Sequence, residues 1–168
     1  TVDGGTFGGN GTLLGDLAVK NGGAVSPGNS IGTLTVNGNA DFDSSSFFDV
    51  EVDPDSGNAD LLAVKGKATL GGPQVRHIGL NGNYLGTGRW TILTAADIDG
   101  TFANTVDTSM NPFLAGSLSY TDTSVSLLLE RIASFQDFAN TGNQKAVADA
   151  LESLDSSDPL YKAVVSLY

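Results

Sequence analysis

Apolar and polar residues alternate along this chain in bursts too short for helices. Thr33-Leu34-Thr35-Val36 is one burst, and Phe48-Asp49-Val50-Glu51-Val52 is another. In a strand, successive side chains point to opposite faces. Phe48, Val50 and Val52 therefore share one face, and Asp49 and Glu51 share the other, which reads as the outward one. The same logic predicts strands over 12–19, 61–64, 68–70, 74–78, 90–93, 117–120 and 124–130. Clusters rich in Asn, Asp and Gly separate them: Asn21-Gly22-Gly23, Asn37-Gly38-Asn39, Asp53 to Asn58, Asn81-Gly82-Asn83 and Asp97 to Gly100. These residues accept the positive φ and close approaches of tight turns.

Strands this short cannot each bury a face alone, so they require a sandwich, a barrel or a solenoid. A loose recurrence, Val36-Asn37-Gly38 and Val64-Lys65-Gly66, together with the glycine-rich opening Gly4 to Gly15, favours stacked coils. Past residue 133 the pattern changes. Ser134 is placed to cap a short turn through Phe138, and Asn143 a helix from Gln144 to Leu154 with Val147, Leu151 and Leu154 as its apolar stripe. Asp158-Pro159 reads as the N-cap and first position of a second helix, with Leu160, Val164 and Leu167 on one face.

Composition narrows the function classes. The net charge of −11 and the eight scattered Lys and Arg residues argue against nucleic acid, whose phosphates need clustered cations. Apolar residues make up 40% of the 168-residue chain, too many for a disordered tail. There is no cysteine, and no apolar run approaches the ~20 residues of a membrane helix. With Thr1 first and no charged-then-apolar leader, the chain reads as a piece of a longer protein whose targeting signal lies elsewhere.

Several chemical motifs present themselves and weaken on inspection. Gly28-Asn29-Ser30-Ile31-Gly32 fits G-x-S-x-G, but a nucleophile elbow needs a helix after the serine, and Thr33 to Val36 alternates as a strand. The one histidine, His77, reads as a surface residue of a strand. Asp53 to Asp60 resembles a calcium loop, but glycine falls fifth and Val64 twelfth, where an EF-hand needs glycine sixth and glutamate twelfth. Asp41 with Asp43, and Asp49 with Glu51, are i, i+2 carboxylates on the outward side of a strand, the weaker reading being a glycosidase pair. No catalytic, cofactor-binding or metal residue is assigned, and no cofactor is expected.

Five phrases in order carry a resemblance. They are Pro27-Gly28-Asn29-Ser30-Ile31-Gly32, then Asp60-Leu61-Leu62-Ala63-Val64 with Gly66, Ala68, Leu70 and Gly71-Gly72. Next come Trp90-Thr91-Ile92-Leu93 with Gly100-Thr101-Phe102, then Leu118-Ser119-Tyr120 with Ser124-Val125-Ser126-Leu127. The last is Thr141, Asn143-Gln144 and Ala146 to Leu151. Together they resemble the passenger-associated, autochaperone region of bacterial autotransporters (type V secretion).

The resemblance implies an all-β fold: the end of a right-handed parallel β-helix with an irregular β cap and a short helical tail. It divides the chain into last coils (1–40), a β cap (41–133) and a tail (134–168) leading toward a β-barrel not present here. It further implies a non-catalytic autochaperone at the bacterial cell surface. The partners would be the passenger β-helix upstream in the same protein and its own C-terminal barrel, with no nucleic acid and no membrane insertion. The expected core is Leu62, Val64, Leu70, Trp90, Ile92, Phe102, Leu118, Tyr120, Val125 and Leu127, and the expected turn glycines are Gly66, Gly72 and Gly100. The alternatives are an adhesin segment, marked by an exposed apolar patch, and a polysaccharide-degrading β-helix, marked by carboxylates converging in one groove.

Overall fold

The computed structural model describes residues 1–79, 84, 87–155 and 157–165. Its strands fall in successive triplets. The first is β1 (Val2–Asp3), β2 (Thr6–Gly9) and β3 (Gly11–Leu13); the second is β4 (Leu17–Lys20), β5 (Ala24–Pro27) and β6 (Thr33–Val36). The third is β7 (Ala40–Phe42), β8 (Phe47–Val50) and, after the small hairpin β9 (Val52–Asp53) and β10 (Asn58–Ala59), β11 (Leu61–Val64). The fourth is β12 (Lys67–Gly71), β13 (Gln74–His77) and β14 (Gly88–Thr94). A fifth opens with β15 (Asp97–Thr101) and β16 (Val106–Asp107), then gives way to the hairpin β17 (Leu114–Tyr120) and β18 (Ser124–Arg131).

Each member of a triplet joins a different sheet. Sheet one runs β1-β4-β7-β12-β15, sheet two β2-β5-β8-β13-β16, and sheet three β3-β6-β11-β14-β18-β17. All pairings along the coil are parallel; only those of β18 with β14 and β17, and of β9 with β10, are antiparallel. This is a parallel β-solenoid, in which each crossover between neighbouring parallel strands passes through the other two sheets.

Inward residues stack in ladders. One is Val2-Val19-Phe42-Leu70, another Phe7-Val25-Phe48-Val75-Val106, a third Leu34-Leu62-Leu93-Val125. Near the closed end Phe48 stacks on Phe102 at 5.5 Å between centroids, and Phe42 meets Phe48 edge-on at 6.3 Å.

Register explains why the repeat is hard to read from sequence. Asp41 lies over Ala18, 23 positions earlier; Thr69 lies over Asp41, 28 positions earlier; Asp99 lies over Thr69, 30 positions earlier. The coil lengthens as it proceeds, partly by inserting the β9–β10 hairpin, so no fixed period survives. Parallel stacking also continues past residue 40, where the sequence reading ends its regular coils, as far as β16. The expected strand over 12–19 is two strands, β3 and β4, with a coil corner between them.

The tail begins with a 3₁₀ turn, Phe135–Phe138, where Ser134 N–H and Oγ–H both donate to Asp137 Oδ2. Helix α1 (Gly142–Glu152) is capped by Thr141 rather than Asn143. Thr141 Oγ1 accepts from Gln144 N at 3.2 Å and Gln144 Oε1 accepts from Thr141 N at 2.9 Å, a reciprocal box that Asn143 has no glutamine or glutamate at the right distance to form. Helix α2 (Pro159–Val165) starts where Asp158-Pro159 predicts, with Leu160 N donating to Asp158 Oδ1. The predicted apolar faces are displaced: Val147 and Leu160 are exposed, while Ala148, Tyr161 and Val165 are buried. Asn81-Gly82-Asn83 and Leu167 lie outside the described residues.

Candidate functional site

The two ends of the solenoid differ in how their backbone groups are met. An exposed strand edge presents unpaired N–H and C=O groups that must be covered or will recruit another strand. At the end formed by β15, the tip of the β17–β18 hairpin folds across the edge. Ile98 N donates to Asp122 O and Ala95 N to Thr123 O, both at 3.0 Å, and Phe102 N donates to Tyr120 Oη at 3.1 Å. The tip is held in turn by Thr121 N donating to Ser124 O and by the two hydroxyls of Thr121 and Ser124 at 2.8 Å.

At the other end, β1 pairs with β4, β2 with β5 and β3 with β6, and no described strand lies on their far sides. None of the three contains Pro or Lys, the residues that commonly blunt an edge. Val2, Phe7 and Leu13 lie partly buried against the core and continue its inward ladders toward the open side.

The expected core residues are distributed as follows. Leu62, Val64, Leu70, Trp90, Ile92, Phe102, Val125 and Leu127 are buried. Leu118 is half-buried against the core, and Tyr120, expected inside, is 37% exposed. Tyr120 sits at the hairpin end, where its ring leaves the core so that its hydroxyl can accept from the last coil. Of the expected turn glycines, Gly72 has φ of 91° and Gly66 is hemmed in by Asn39 and the Gly38 carbonyl, whereas Gly100 lies within β15 and not in a turn, with φ of 80°. A Cβ on Gly100 would also collide with the Leu70 carbonyl.

The chemical motifs resolve into structure. Ser30 has φ of 73° and leads directly into β6, so the G-x-S-x-G segment is a turn before a strand. That turn wraps the carboxylate of Asp60, which accepts from Gly32 N and from Glu51 N, both at 2.9 Å, and so ties successive coils together. Burial raises Asp60 to about 6. Burial also raises Glu51, whose Oε2 is enclosed without a partner among the described residues.

His77 is not a surface residue: it is 1% exposed, beside Tyr84, whose hydroxyl lies 3.3 Å from Nε2. Period 2 carries the ring inward because Arg76 takes the outward position. Burial lowers its pKa to about 4, so the ring is neutral at physiological pH. Asp49, expected to face solvent, is buried under Arg76, which donates Nε and Nη2 to its two oxygens at 2.6 and 2.7 Å and lies 4.1 Å over the Phe47 ring. This bidentate pair joins neighbouring coils and accounts for the buried carboxylate. Asp53 is likewise engaged by Asp55 N, Ser56 N and Ser56 Oγ within its own turn. Among the described residues no group of three or more metal-ligating side chains forms a cluster, and no helix is long and apolar enough to cross a membrane.

Sequence reasoning missed Arg131. It donates Nη1 to Tyr161 Oη at 2.7 Å and Nε to Ala133 O at 3.0 Å, and its guanidinium lies 5.0 Å over the Phe135 ring. With Glu152 accepting from Phe135 N, it fastens the tail to the end of β18. A lone arginine at a composition boundary was the available signal.

No known family profile matches the chain. Two curated proteins do, each called an extracellular serine protease, from Serratia marcescens. One is 36% identical over 166 residues, covering 93% of this chain and 16% of the relative. The other is 32% identical over 168 residues, covering 89% of this chain and 16% of the relative. The chain thus spans about a sixth of the length of these relatives.

Proposed function

We propose, for what is an autotransporter passenger region built as a parallel β-solenoid, a non-catalytic role as end-cap and autochaperone. The observation that carries this reading is the asymmetry of the two ends: one is sealed by its own hairpin, and the other offers three unblunted parallel edges. A coil without a neighbour leaves its edges and apolar stripe in water, so its first formation is costly. A block already folded at one end removes that cost for the next coil, which pairs with β1, β2 and β3 and buries its stripe on Val2, Phe7 and Leu13. If the block folds outside a membrane pore, each added coil opposes backsliding, and a stability of about 5–15 kcal/mol suffices to bias the chain outward.

Proteolysis, by this reading, belongs to other parts of such a longer protein. The single histidine of this chain is buried in the core, and Ser30 sits in a turn whose polar partner is Asp60. The relatives are named as extracellular, which is the setting this reading requires.

The test is Trp90→Ala in the longer passenger, read by surface display and by protease resistance of the upstream region. Trp90 is buried and packs over Gly88. Both readouts should fall together. Unchanged display and resistance in a variant whose cap is shown to be unfolded would end the proposal.

A further inference from the structure

The coils are joined at their corners by a recurring device. Asn10 Oδ1 accepts from Thr33 N at 2.9 Å, Asp16 Oδ1 from Asn39 N at 2.7 Å, and Asn39 Oδ1 from Lys67 N at 2.9 Å. In all three the accepting side chain tucks beneath a glycine of the following coil: Gly32 over Asn10, Gly38 over Asp16, Gly66 over Asn39. A Cβ on any of these glycines would strike the accepting oxygen. The rule is therefore an Asn or Asp in one coil, and Gly followed by a donating N–H in the next. It runs in one direction, each coil accepting from its successor. At Lys67 it stops, since lysine has no acceptor; its ammonium instead pairs with Asp99 at 2.8 Å and Asp97 at 3.7 Å in the next coil.

The open end carries the receiving half of the same device twice. Gly9-Asn10 and Gly15-Asp16 repeat the Gly-then-donor order of Gly32-Thr33 and Gly38-Asn39, and they occupy the same register positions. Nothing lies within 4 Å of where a Cβ would stand on Gly9 or Gly15. Among the described residues, neither Asn10 N–H nor Asp16 N–H has a hydrogen-bond partner.

We propose that this end is a docking surface for a parallel coil of the same protein that carries Asn or Asp at two positions, one beneath Gly9 and one beneath Gly15. These flank the strand that stacks on β3, as Asn10 and Asp16 flank β3 itself. The inference rests on the capping role above and adds the chemistry of the partner. The occupant is a coil of the same protein because the device is continuous with three working copies inside the fold, and because the relatives are about six times longer than this chain. The two carboxamide or carboxylate acceptors would set the register of the incoming coil, which apolar stripes alone leave free to slip.

The experiment supplies the coil. A copy of Leu17–Ala40 is fused directly ahead of Thr1, with Thr33 of the copy replaced by Asn. The register of Val2 on Val19 then brings the copied Asn39 beneath Gly15 and the new Asn beneath Gly9. Amide exchange at Asn10 and Asp16 is compared with that of the unextended chain, together with protease resistance of the copy. With both Asn present, exchange at the two amides should slow about tenfold; with both replaced by Ala, it should return close to the unextended rate while the copy stays ordered. Equal protection by the Asn and Ala versions would overturn the docking rule and leave the capping role standing. A copy that stays protease-sensitive in both versions would overturn both.

Discussion

At the end of the coil made by β15 to β18, Ile98 N in β15 and the flanking Ala95 N and Phe102 N are met by Asp122, Thr123 and Tyr120; at the end made by β1 to β3, no described strand lies on their far sides. Both ends are built from the same strand chemistry. What differs is the antiparallel hairpin, which costs the fold a break in its parallel stacking and in return removes one edge.

That contrast makes graded predictions. The largest effect is expected from Phe102→Ala, which opens a cavity against Phe48 and Phe42 and should lower stability by about 3–5 kcal/mol in urea unfolding. Phe7→Ala, on the open side and only partly buried, should cost about 1–2 kcal/mol. Equal losses would erase the distinction between the ends. Gly100→Ala, strained in φ and blocked by the Leu70 carbonyl, should cost more than about 2 kcal/mol, while Gly5→Ala, with positive φ but open space, should cost about 1 kcal/mol. Asn39→Ala should cost about 1 kcal/mol and release the Lys67 amide to exchange.

Acid titration gives a subtler test, because two buried groups act in opposite senses. His77, lowered to about 4 from 6.5, binds protons more readily unfolded, so its contribution is present above pH 6.5 and is lost as pH falls toward 4. Asp60, raised to about 6 from 3.8, binds protons more readily folded, so its contribution is present below pH 3.8 and is lost as pH rises through 6. Between pH 4 and 6 the two slopes oppose. His77→Phe should make stability fall more steeply with rising pH there than in the parent chain, and Asp60→Asn less steeply, with Glu51, also raised by burial, acting in the same sense as Asp60. The smallest effect is expected from Lys67→Met, since exposed ion pairs contribute little and fade in salt.

Much of this fold was legible because strand alternation is local. The strand over 61–64 appears at the residues predicted, and Phe48, Val50 and Val52 share the core. Asp158-Pro159 marks α2 for the same reason, since a cap and a fixed φ act within one turn. His77 was misplaced because a histidine's burial depends on what stands across from it, here Tyr84, which is close in space but set by the coil. Thr141 and not Asn143 caps α1 because the box needs Gln or Glu three residues on, which Gln144 supplies to Thr141 and Ala146 does not supply to Asn143.

The amino-acid sequence alone determined that strands lie at Thr33–Val36 and over 61–64, that Phe48, Val50 and Val52 share an apolar side, and that a helix begins at Pro159. Tertiary structure decided which strand lies over which, that Arg76 shields Asp49, that Tyr120 leaves the core to seal an edge, and that corner Asn and Asp residues sit beneath glycines one coil away. The physical reason is range. Alternation and capping are satisfied within a few residues, whereas register in a solenoid is set by contacts more than twenty residues apart, across loops whose lengths vary from coil to coil.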